Sequence, residues 1–130
     1  MVEMPSLLIT DDDRALRETL SSVFAPRGFR TWLAASGEEA VRIVRGERIH
    51  IVLLDMHMPR LTGLETMRLV KQLQNPLPCI LMSAALDDDI RRAAQEAGVF
   101  STLPKPVSFQ ELTSTVEQAL AEYESVKGDG

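Results

Sequence analysis

Residues 49–63 read IHIVLLDMHMPRLTG. Ile49, Ile51, Val52, Leu53 and Leu54 make a nearly unbroken apolar run rich in β-branched residues. That is the pattern of a strand buried on both faces, as in a parallel sheet covered by helices. The run stops at Asp55, and a loop punctuated by Pro59 and Gly63 leads into a helical pattern. Open α/β sheets place their ligands outside the carboxyl ends of their strands, so a carboxylate at this junction is a candidate site residue. For Asp55 taken alone, a helix cap or a solvated loop residue is the competing explanation.

The residues on either side of this stretch repeat its plan. Upstream, Leu7, Leu8 and Ile9 form a short strand ending at Thr10, followed by Asp11, Asp12 and Asp13. Leu16, Leu20, Val23 and Phe24 then recur at helical spacing until Pro26 and Gly28 end the helix. Phe29–Ala34 alternates apolar and polar residues and reads as a second strand nearer the sheet edge. Ser36 with Glu39 is a capping-box pair opening the next helix, which carries Ala40, Ile43 and Val44 on its buried stripe.

Downstream, Thr62 with Glu65 repeats the capping pattern ahead of a helix that Asn75-Pro76 breaks. Cys79–Met82 is a fourth strand ending at Ser83, and Asp87 caps a helix over Ile90–Ala97 that Gly98 terminates. Val99–Leu103 is a weak fifth strand running into Pro104-Lys105-Pro106. Ser108 with Glu111 opens the last helix, and Ser125–Gly130 is expected to fray. Strand and helix alternate throughout, which implies right-handed crossovers and a parallel sheet with helices on both faces.

The chain has 130 residues, enough for one domain with its own core, and 45% hydrophobic with 25% charged residues is ordinary for a globular protein. Fourteen basic against nineteen acidic residues leave a net charge of −5, which argues against a broad nucleic-acid-binding face. The single cysteine, Cys79, excludes an intrachain disulfide and a multi-cysteine zinc site, and its apolar surroundings predict a buried structural thiol. No apolar run reaches the roughly 20 residues that span a bilayer, and no signal-peptide pattern opens the chain. A cytoplasmic location is expected.

In a parallel sheet all the strand carboxyl ends share one edge. Asp11 and Asp12, Asp55, Ser83 and Lys105 stand at those ends and would converge if their strands are neighbours. Clustered carboxylates repel unless a cation offsets them, and oxygen-only donors suit a hard ion such as Mg²⁺. A carboxylate can attack phosphorus to give an acyl phosphate, a transfer that needs in-line positioning and neutralised phosphoryl oxygens. Lys105 can supply charge and Ser83 a hydroxyl proton. The second acidic triplet, Asp87–Asp89, stands past its strand end and reads as a cap with solvated charge.

The acidic pair after the first strand, Asp55 followed by Met58-Pro59 and Gly63, the hydroxyl at Ser83 and Lys105-Pro106 together resemble the receiver domain of two-component response regulators. The resemblance covers about Pro5–Tyr123, and a domain over 5–124 is assigned on it. It implies a five-stranded flavodoxin-like sheet in the order 2-1-3-4-5, and a phosphoryl group taken onto Asp55 from the phosphohistidine of a histidine kinase or histidine phosphotransfer protein. Asp11 and Asp12 would form the acidic pocket. Mg²⁺ would be held by Asp12, Asp55 and the main-chain carbonyl of His57. Lys105, whose bond to Pro106 is commonly cis in the family, would pair with the phosphoryl group.

The resemblance also implies a signalling module with self-phosphorylation and self-dephosphorylation rather than an enzyme with turnover. Its output face would be helix 4, strand 5 and helix 5, acting on a downstream domain or protein that the sequence does not name, and open to homodimerisation. Ser83 stands for the commoner threonine. Thr102 stands where the family places a switching aromatic residue, with Phe100 expected on the same strand face one step earlier. Two rivals are a phosphorylation-independent interaction module and a flavodoxin-like cofactor binder. The absence of GxGxxG and GxxxxGK[ST] speaks against dinucleotide or P-loop binding.

Overall fold

The computed structural model describes residues 2–129, with side chains described through Val126. Five strands, β1 (Ser6–Thr10), β2 (Arg30–Ala34), β3 (Ile51–Asp55), β4 (Cys79–Ser83) and β5 (Ser101–Pro104), alternate with five helices. These are α1 (Arg14–Phe24), α2 (Gly37–Gly46), α3 (Gly63–Leu73), α4 (Asp88–Glu96) and α5 (Phe109–Asp129). The sheet is wholly parallel in the order β2-β1-β3-β4-β5, as expected.

β1, β3 and β4 are buried at every position, which explains their unbroken apolar sequences. Alternate residues feed two cores. Leu8, Val52, Leu54 and Leu81 pack with α2, α3 and α4, whereas Leu7, Ile9, Leu53 and Met82 pack with α1 and α5. β2 lies at an edge and is only partly buried, in line with its alternating sequence.

The helix starts follow from local chemistry. Asp13, Ser36, Thr62 and Asp87 each accept a hydrogen bond from a backbone N–H three residues on. Thr62 and Glu65 form the full reciprocal box. Glu39 departs from it, accepting instead from the N–H of Ala35. The turn after α1 is closed by Gly28 at φ 93°, a left-handed conformation that costs other residues more.

Cys79 is fully buried, its thiol faces the carbonyl of Leu77 at 3.5 Å, and burial pushes its pKa up to about 12, so it is an inert packing residue. Two peptides are cis, Asn75-Pro76 and Lys105-Pro106. α5 continues as helix through Asp129, and Gly130 lies outside the described residues.

A second feature lies at the amino ends of the interior strands β1 and β3. His50 Nδ1 accepts from the N–H of Ser6 at 2.9 Å, and the ring meets Tyr123 of α5 edge-on at 5.0 Å. Burial, with help from Arg48 and against Glu124, holds the His50 pKa below its ordinary 6.5. The folded state therefore prefers the neutral ring. The stability this contributes is complete above pH 6.5 and lost as pH falls through the lower folded value. Thermal melts should show wild type losing stability below pH 6.5 more steeply than His50→Gln. Parallel curves would assign the loss to other groups.

Candidate functional site

The site forms where β1, β3, β4 and β5 end. β1 hands the chain to Asp11, whose side chain is fully buried because β1 is an interior strand. Asp11 Oδ1 accepts from the N–H of Asp13, and Asp13 caps α1. This division of labour leaves Asp12, which is exposed, as the member of the triplet without a capping task. The last residue of β3 is Asp55, 4% exposed.

Lys105 follows β5 and reaches across 94 residues of sequence to donate to Asp11 Oδ2 at 2.7 Å. The same ammonium lies 3.2 Å from Asp55 Oδ1. Burial, followed by the charge of Asp11, raises the Asp55 pKa above the ordinary 3.8, and Lys105 only partly opposes them. Burial works to lower the Lys105 pKa, but the bond to Asp11 and the two carboxylate charges outweigh it and hold it above 10.5.

One carboxylate oxygen from each of Asp11, Asp12 and Asp55 can be taken so that all three lie within 4.8 Å of one another. Three acids against one lysine leave the pocket acidic, and its donor set is all oxygen. These residues fit a hard divalent cation such as Mg²⁺.

Ser83 ends β4 and is fully buried. Its hydroxyl accepts from the N–H of Ala85 at 3.1 Å and lies 3.1 Å from His57 Nε2. His57 also directs its backbone N–H at Asp55 Oδ1, at 3.4 Å. The structure thus gathers Asp11, Asp12, Asp55 and Lys105 directly and joins Ser83 through His57. Thr102 makes no hydrogen bond to them among the described residues. It is half-buried on β5, in register with Leu81 on the α4 side of the sheet. Phe100 corrects an expectation: it lies just ahead of β5 and packs against the cluster under α1 and α5, away from the face of Thr102. Outside the regular strand, the two-residue alternation that placed it beside Thr102 no longer holds.

Two further supports hold the site, of which only Gly63 was marked in the sequence. Arg17 Nη1 donates to the main-chain oxygen of Asp11 at 2.7 Å, and Gly63 lies against the end of β3. A Cβ on Gly63 would come within 2.3 Å of the Asp55 carbonyl oxygen and 2.8 Å of Leu81 Cδ1. The backbone cannot yield as a side-chain end can, so Gly63→Ala should cost about 1–3 kcal/mol, read as a lower denaturation midpoint. An unchanged midpoint would show that the loop relaxes freely. Arg60, at φ 69°, pairs with Glu38 and so ties the same loop to α2.

Fold and site together define an open, doubly wound α/β protein with a lysine-bridged carboxylate pocket at its strand ends. The chain matches the response regulator receiver domain over residues 7–117 and belongs to that family, a signalling module of two-component systems. Response regulator MprA of Mycolicibacterium vanbaalenii is 36% identical over 114 residues, covering 88% of this chain and 49% of that protein. The chain therefore spans about half the length of the curated relatives it matches. A receiver domain from Clostridium thermocellum superposes with a TM-score of 0.87 at 26% identity, over 95% of this chain and 99% of that one. A CheY-like receiver domain from Methanospirillum hungatei gives 0.90 at 22% identity, over 94% and 98%, a likeness of fold. No helix among the described residues is long and apolar enough to cross a membrane.

Proposed function

We propose that Asp55 accepts a phosphoryl group from the phosphohistidine of a histidine kinase or histidine phosphotransfer protein. The observation that carries this reading is the position of Lys105 Nζ, between Asp11 at 2.7 Å and Asp55 at 3.2 Å. A fixed ammonium beside a buried carboxylate is what an incoming anion requires. An Asp55 oxygen attacks phosphorus, the bond from phosphorus to the donor nitrogen breaks, and its electron pair leaves with the imidazole. The product is an acyl phosphate on Asp55. Lys105 neutralises one phosphoryl oxygen and the Ser83 hydroxyl donates to another. Asp12, Asp55 and the main-chain carbonyl of His57 would hold Mg²⁺, which when bound supplies the charge that keeps the carboxylates ionised and offsets the phosphoryl group.

Asp55 must be ionised to attack. Burial and the charge of Asp11 raise its pKa in the metal-free site, and bound Mg²⁺ would oppose that shift. Phosphorylation then biases a two-state equilibrium read on the face of α4, β5 and α5, where a downstream domain or protein engages. Thr102 in place of an aromatic residue makes that readout differ from the usual one in this family. The runner-up, an interaction module without phosphorylation, has no use for a convergent acceptor, acidic pair and lysine.

The test is incubation with acetyl phosphate and Mg²⁺, followed by intact mass. The protein should gain one phosphoryl group, and chelating the metal should prevent it. If neither acetyl phosphate nor a phosphorylated histidine donor adds mass, the interaction-only reading replaces this one.

A further inference from the structure

His57 touches both halves of the proposed chemistry. Its backbone N–H points at the acceptor oxygen of Asp55, and its imidazole, on an otherwise exposed residue, reaches the fully buried hydroxyl of Ser83. No sequence pattern requires the second contact. The position's role in the family rests on the main-chain oxygen, which any residue supplies.

A serine hydroxyl has one proton and two lone pairs. The N–H of Ala85 already occupies one lone pair of Ser83. If His57 Nε2 is the acceptor, it takes the only proton. If Nε2 carries the proton, it fills the second lone pair and fixes the oxygen between two donors. In the second case the hydroxyl proton stays free for a phosphoryl oxygen, so only the first, with Nε2 accepting, restrains it; the hydroxyl makes no hydrogen bond to Asp55 or Lys105 among the described residues.

We infer that the His57 imidazole is a positioning residue: Nε2 accepts the only proton of Ser83, holds the hydroxyl away from Asp55, and must release it before that hydroxyl can donate to a phosphoryl oxygen. This rests on the phosphoacceptor reading above and adds to it a restraint set by the side chain at 57. A hydrogen bond of ordinary net strength changes an equilibrium by about five-fold. Removing it releases Ser83 and favours the phosphoryl-bound arrangement by that factor. The effect passes through Ser83, so it vanishes when Ser83 has no hydroxyl.

The experiment uses the full chain with Mg²⁺ and beryllium fluoride, a non-covalent phosphoryl mimic, titrated by amide NMR. His57→Ala should bind the mimic about five-fold more tightly than wild type. In a Ser83→Ala background the same replacement should leave affinity unchanged. His57→Gln, whose amide oxygen can accept from Ser83 in the place of Nε2, should return affinity to the wild-type value. Before any mimic is added, the Ala85 amide should shift in His57→Ala and recover in His57→Gln, a readout independent of loading.

An equal gain in both backgrounds, no gain in either, or His57→Gln behaving as His57→Ala would each overturn the inference. If wild type takes up neither the mimic nor a phosphoryl group from acetyl phosphate or a phosphorylated histidine donor, the phosphoacceptor reading falls and takes this one with it. Normal wild-type uptake without coupling removes the restraint alone.

Discussion

Asp55→Asn is expected to abolish uptake of a phosphoryl group while making the unmodified protein more stable. The first effect is complete because an amide oxygen lacks the charge and the nucleophilicity of the carboxylate. The second follows from the site's electrostatics. Asp55 is 4% exposed, beside Asp11, and its pKa stands above the ordinary 3.8 chiefly because burial penalises its charge. A carboxylate with a raised folded pKa gives its full stabilising contribution below the unfolded value and loses it as pH rises through the folded one. At neutral pH wild type therefore carries a deficit that the amide removes.

Lys105 keeps its 2.7 Å bond to Asp11 in the variant, so no cation is stranded. A gain of about 1 kcal/mol is expected, the usual scale for relieving a functional strain. That gain would raise Tm by a few degrees. The difference from wild type should be largest near neutrality and close as the pH is lowered. Intact mass and pH-dependent melts check both halves. Phosphoryl uptake by the variant would move the acceptor elsewhere, and a lower Tm would mean that the Lys105 contact outweighs the burial of charge.

Lys105→Ala should have the opposite sign in stability and the same sign in function. Its removal leaves the side chains of Asp11 and Asp55, 0% and 6% exposed, without the cation that lies within 3.2 Å of both. Breaking a buried ion pair by deleting one partner costs about 3–5 kcal/mol. The lysine side chain is 20% exposed, which favours the lower end. The loss should shrink at low pH, where Asp55 takes up a proton, and Asp55→Asn introduced alongside should recover part of it. Phosphoryl uptake should fall steeply, since an ammonium aimed at the reacting oxygens is worth orders of magnitude in rate. Equal stability of wild type and Lys105→Ala at pH 7 would show that solvent already screens the carboxylates.

Much of this was legible in the chain because the signals are local. Asp13, Ser36, Thr62 and Asp87 announce helix starts through bonds spanning three residues, and those bonds are present. The apolar runs at Leu7–Ile9, Ile51–Leu54 and Cys79–Met82 announce buried strands, and each is fully buried. β5 was harder. Only four residues long and partly exposed, it lacks the repeat needed to orient Phe100, which packs toward α5 instead of beside Thr102.

By itself the sequence determined the alternation of strand and helix, and with it the placement of Asp11, Asp12, Asp55, Ser83 and Lys105 at strand ends. Periodicity and capping depend on neighbours a few residues apart, and a strand's end is written where its apolar run stops. Only the tertiary structure decided which of these groups touch. The 2.7 Å bond between Lys105 and Asp11 spans 94 residues, and the His57 contact with Ser83 spans 26. Such contacts depend on strand order, register and the aim of single side chains, which are settled only when the helices pack on both faces of the sheet and fix its edge.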